Sequence, residues 1–123
     1  MNIIRVLTSI HVARGFLMTK EKKEKFVLTN VISTELDILK RHIHVLKILQ
    51  KNEPAGIIKL SELTGHPQHM VRYSLRILEQ EGLIEPSPHG AVTTESVANT
   101  ISPLKDKLKD MGNTIDEIIK MLG

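Results

Sequence analysis

The stretch Leu60–Ile84, LSELTGHPQHMVRYSLRILEQEGLI, decides how this 123-residue chain is read. Ser61 can cap a short helix through Glu62, Leu63 and Thr64. Gly65 ends it, because a tight interhelical turn needs a positive φ that costs glycine little. Pro67 suits the first turn of the next helix, which runs to Gln80 and stops at Gly82. On that helix Val71, Leu75 and Leu78 form an apolar face, with Met70 or Ile77 at its edge. Gln68, His69, Arg72, Tyr73 and Arg76 fall largely on the other side. Residues 66–78 hold two Arg and no acid, and Glu79 and Glu81 come only at the far end.

Upstream, Ser33 or Thr34 can cap a helix with Glu35 and Asp37 in its first turn. Leu36, Leu39, Ile43, Leu46 and Ile48 or Leu49 share one face, and Pro54 and Gly56 end the helix near Lys51. Ile57–Leu60 is short, β-branched and bounded by turn signals, which predicts a short strand. Downstream, Leu83–Glu85 and Ala91–Thr93 read as two strands around the turn Pro86–Gly90. Thr93 or Thr94 then caps the last segment. There Val97, Ile101, Leu104, Leu108, Met111, Ile115, Ile118 and Leu122 keep alternating steps of four and three, a heptad seam. Unbroken, it would span about 42 Å. Pro103 and Gly112-Asn113 argue for a bend, so one long helix and two helices sharing one seam both fit.

The order helix, short strand, short helix, tight turn, helix, two-stranded ribbon resembles the winged helix-turn-helix DNA-binding domains of bacterial and archaeal transcriptional regulators. The resemblance rests on Leu60-Ser61-Glu62-Leu63-Thr64-Gly65 entering the turn and on Leu78-Glu79-Gln80-Glu81-Gly82-Leu83-Ile84 leaving the third helix. It covers residues 34–94, about half of the chain. It implies a mainly α fold with a small β-wing, flanked by an N-terminal extension over 1–33 and a C-terminal helix or helix pair over 95–123. It also implies a cytoplasmic regulator that binds double-stranded DNA as a homodimer.

The residue chemistry agrees with that expectation. A major groove about 12 Å wide admits one helix with a packed and a polar face. Gln68 and His69, near the helix start, are best placed for base edges, and the Arg72 fork suits a guanine. Arg76 is expected on a phosphate, as are Lys59 and the Ser61 and Thr64 hydroxyls. Tyr73 is either a phosphate donor or a half-buried packing ring. Ser87 and His89, at the wing tip, are expected along the backbone or minor groove, without the Arg or Lys that many wings carry. For Arg72 and Arg76 the plain alternative is a solvated face. The seam Val97, Ile101, Leu104, Leu108, Met111, Ile115, Ile118 and Leu122 is expected to pair with a second copy, the alternative being that it packs back as core.

Composition narrows the rest. Hydrophobic residues are 41%, charged residues 25% and aromatics 2%, an ordinary globular balance that disfavours base-stacking modules. Cysteine is absent, which excludes disulfides, thiolate metal sites and thiol nucleophiles. The net charge of +3 divides into +4 over residues 1–33, 0 over 34–93 and −1 over 94–123. Near the N-terminus, Ile3, Val6, Leu7, Ile10, Ala13 and Leu17 favour a helix over a strand. Lys20, Lys22, Lys23 and Lys25 read as a solvated run or a phosphate-contacting arm. No targeting or membrane segment stands out. Six His invite a metal, with His66 and His69 three apart and His42 and His44 two apart, but His42 and His44 point to different helix faces, Cys is absent and nearby carboxylates are few, so neither metal nor cofactor is expected. No phosphate loop, nucleophile motif or carboxylate pair suggests an enzyme. The rival function is a protein-docking or scaffold module on the same fold. A regulator with a small-molecule effector of unknown identity is a further variant.

Overall fold

The computed structural model describes residues 27–123, and the expectations for the first 26 residues lie outside it. The chain divides between Ile43 and His44 into two units. Of the first, residues 27–43 are described, and they are helical. They begin α1 (Val27–Asn52), which continues into the second unit and is followed there by α2 (Ile57–Thr64), α3 (Gln68–Gln80), β1 (Ile84–Ser87), β2 (Gly90–Thr93) and α4 (Ser96–Met121). The described residues are thus mainly helical with one two-stranded antiparallel sheet.

Two boundaries differ from the sequence expectation. Ser33 and Thr34 do not cap α1; they lie inside it. Nothing in Val27–Ile32 breaks a helix, and a Ser or Thr marks a start only where the chain before it leaves helical geometry. Nor is Ile57–Leu60 a strand, because it forms the first turns of α2, with Leu60 N–H donating to Gly56 C=O at 3.0 Å. Leu60 is fully buried, Ile57 half-buried and Ile58 exposed, so packing at helical spacing overrides the β preference of two isoleucines. Ser61 accordingly sits within α2 rather than at its start.

The strand-like pairing falls on Ala55 instead. Ala55 N–H donates to Ala91 C=O at 3.1 Å, and Ala91 N–H returns a bond to Ala55 C=O at 2.9 Å. This single bridge holds the α1–α2 connection against β2. The hairpin itself pairs Ile84 with Thr93 and Ser87 with Gly90, so its turn shrinks to Pro88-His89. Glu53 adds a second tie, accepting from Thr93 N–H at 2.7 Å and from the Thr93 hydroxyl.

The core of the second unit joins Val45, Leu46 and Leu49 of α1, Leu60 of α2, Val71 and Leu78 of α3, Leu83 and Ile84 at the hairpin, and Val97 of α4. Leu75 packs against it half-buried, and Ser74 is fully buried beside the expected apolar face. Gly65 ends α2 with φ 82°, as its position required.

The last segment is one helix. Pro103 lies inside it, exposed, and Gly112-Asn113 does not interrupt it. The cap position is Glu95, without a side-chain cap, rather than Thr93 or Thr94; the Thr94 hydroxyl before it accepts from Ser96 N–H at 3.3 Å and donates to Gly82 C=O at 2.6 Å. Val97 and Ile101 pack on the core, and Leu104 is half-buried. From Leu108 onward the seam is exposed. Among the described residues no helix is long and apolar enough to cross a membrane.

Two outcomes are expected. Gly90 has φ 133°, and a Cβ there would meet Ala55 backbone atoms at 2.7–2.9 Å. Gly90→Ala should therefore cost about 2–4 kcal/mol, read by chemical denaturation. In α1, burial and then the neighbouring Arg41 charge hold the His42 pKa below its ordinary 6.5. The unfolded chain takes up that proton more readily than the folded one. The His42 contribution is thus complete above pH 6.5 and lost as pH falls through that value toward the depressed one. Between about pH 7.5 and 5.5, the parent should lose more stability in urea than His42→Gln.

Candidate nucleic-acid interface

The bridge at Ala55–Ala91 brings the start of α2 beside the tip of the hairpin, and α3 packs against α2 and β1. The three elements leave an open cleft. Lys59, Ile58 and Glu62 line it from α2, Gln68 and Arg72 from α3, and His89 from the hairpin, with Pro54–Ile57 completing the lining. Lys59, Gln68, Arg72 and His89 were each singled out by the sequence, and the fold gathers them from three separate elements.

The cleft's electrostatics favour an anion. Lys59 and Arg72 supply two cations against one carboxylate, Glu62. The N-terminus of α2 opens here too, and Gly56 gives it no side-chain cap. The first amides of a helix point outward and carry partial positive charge, so they add to the pull of the cations. A lysine supplies a point charge, whereas the Arg72 fork holds two acceptors in a plane.

The remaining expected contacts sort differently. His69, Tyr73 and Arg76 are exposed on α3 outside the cleft, with Arg76 one helical turn beyond Arg72 on the same flank. Ser61 and Thr64 shape the turn between α2 and α3. The Ser61 hydroxyl donates to His66 C=O at 2.7 Å, while Thr64 donates to Leu60 C=O at 2.7 Å and accepts from His66 N–H at 3.2 Å. Ser87 is half-buried and donates to Gly90 C=O within the hairpin turn. These three hydroxyls set the backbone that presents the cleft residues.

Sequence reading missed Glu62, Ile58 and the α2 N-terminus. The last two follow from one error, the strand expected at Ile57–Leu60; Glu62 was already read as helical but not as part of the site. Read as a helix, the same residues put Ile58 and Glu62 four apart on one surface. The fold also pairs histidines that no local spacing suggested. His44 Nδ1 lies 3.2 Å from His66 Nε2, with the rings edge to face at 5.2 Å, tying α1 to the turn before α3. Among the described residues no three His, Asp or Glu side chains converge as a metal site.

No protein-family model matches the chain, and comparison with curated proteins finds no match.

Proposed function

We propose that the second unit is a winged helix-turn-helix and that the protein is a DNA-binding transcription regulator acting as a homodimer. In this reading α2 and α3 form the helix-turn-helix, β1 and β2 the wing, and α3 enters the major groove of a double-stranded operator. The observation that supports it is the convergence of Lys59, Gln68, Arg72 and His89 on one cleft at the uncapped start of α2. A phosphate at that position would meet two cations and the helix N-terminus together. Gln68 and His69 then face base edges at the N-terminal end of α3, and Arg72 reaches a guanine or the cleft phosphate. Arg76, one turn on, meets the backbone.

Charge placement fits. The face is built from a segment that is neutral in total but has no acid from His66 to Leu78. Glu79, Glu81 and Glu85 lie beyond the reading end, where they discourage docking on the wrong side.

One observation favours the protein-docking alternative. Ile58 in the cleft and Leu63 nearby are exposed large apolar side chains, and apolar contacts of that kind anchor protein partners.

Duplex binding across a salt series separates the two readings. DNA binding should weaken steeply between roughly 50 and 200 mM salt, and Arg72→Ala with Arg76→Ala should flatten the log–log slope by about 2. A parent chain without salt-sensitive affinity for duplex DNA would sink the regulator and leave the docking module.

A further inference from the structure

α4 carries two kinds of surface in succession. Its first turns are anchored on the core by Val97 and Ile101. Beyond Leu104 it leaves the core and exposes Leu108, Met111, Ile115, Ile118, Ile119, Met121 and Leu122, the last two at 82%. Seven large apolar side chains in succession form one exposed stripe, the kind of surface that marks an association site. In heptad terms Leu108, Ile115 and Leu122 are a positions, and Met111 and Ile118 are d positions. Lys105, Gly112 and Ile119 flank them on one side as e, and Lys107, Thr114 and Met121 on the other as g.

We infer that residues 104–122 pair with the same stretch of a second copy in antiparallel orientation, about a two-fold axis at the level of Asn113. This specifies the dimer proposed above and is independent of DNA. Three features decide the direction.

The first is the flanking charge. The e and g positions here hold two lysines and no acid. Parallel pairing would set Lys105 and Lys107 of both copies at one level, four like charges around one core layer. Antiparallel pairing moves the two Lys105 levels about 24 Å apart, beyond the Debye length in physiological salt, roughly 8 Å.

The second is the apolar surplus. Ile119 and Met121 lie outside a strict a/d seam and remain exposed. In antiparallel pairing e faces e and g faces g. Lys105 then lies over the partner's Ile119, and Lys107 over the partner's Met121. The lysine stems cover apolar surface while their ammonium groups stay in water. The same lysines come to the C-terminal end of the partner's helix, where its carbonyls attract cations.

The third is size. Gly112 faces the partner's Gly112 and Thr114 the partner's Thr114 beside the axis, small residues where the helices approach. Core layers then match throughout: Leu104 with the partner's Leu122, Leu108 with the partner's Ile118, and Met111 with the partner's Ile115. The arrangement sends the two anchored units to opposite ends of the helix pair.

The absence of cysteine makes the test direct. Leu108→Cys and Ile118→Cys are prepared on copies of different tag length and oxidised mildly, alone and mixed, while sedimentation of the parent gives its mass. A parent of twice 13.9 kDa is expected. Cross-links should form on the order of tenfold faster in the mixture than in either variant alone, because a disulfide needs Cα atoms within about 7 Å. Self-linking of each variant alone would overturn the antiparallel direction and leave the dimer standing. A monomeric parent would overturn both and leave the face to another partner, without touching the DNA reading. Ile115→Asp should turn the dimer into a monomer with an unchanged helical spectrum, since Ile115 lies outside the core; an intact dimer would overturn the interface.

Discussion

The reciprocal hydrogen bonds between Ala55 and Ala91 are the constraint on which the candidate site depends. They pin the residue before Gly56 to the residue after Gly90. The N-terminus of α2 and the tip of the hairpin are therefore held side by side. Gly90 is required because a side chain there would enter the Ala55 backbone. Glu53 reinforces the same contact from the other end of the loop through Thr93. The cleft exists because two distant segments are joined by one bridge, and its polar lining is mounted around that bridge.

The apolar core supplies rigidity behind it. Leu60 buries the inner face of α2 among Val45, Leu46 and Leu49 of α1 and Val71 and Leu78 of α3. That packing fixes how α2 and α3 rotate, and so which side chains reach the cleft. The hydroxyls of Ser61 and Thr64 then lock the connecting turn, and the His44–His66 contact ties it to α1. A reading surface of the kind proposed needs this stiffness, since a misplaced guanidinium loses the bidentate geometry on which base discrimination rests.

α4 extends the same logic outward. Its heptad seam is continuous in sequence yet divides in burial where the helix leaves the core. Val97 and Ile101 spend their apolar surface on the core, whereas the residues from Leu108 onward keep theirs exposed. A seam of one period thus serves as both a core anchor and an exposed face, which is how a small chain can present a large apolar surface without loosening its fold.

The sequence by itself determined the recognisable local features. Gly65 and Gly82 end helices because their backbone turns left-handed, the apolar spacing of Val71 and Leu78 fixes the inner face of α3, and the heptad spacing defines α4. It also settled the polar flank of α3, because residues opposite a packed face must be exposed. Tertiary structure decided what depends on contacts between distant segments. Ile57–Leu60 became helix because burying Leu60 outweighed a weak β preference. Pro103 and Gly112 did not break α4, since neither residue must end a helix whose other bonds remain. The cleft, the Ala55–Ala91 bridge and the meeting of His44 with His66 were invisible in sequence. The partners of the bridge lie 36 residues apart and those of the histidine contact 22, and no local pattern encodes a distance across folded space.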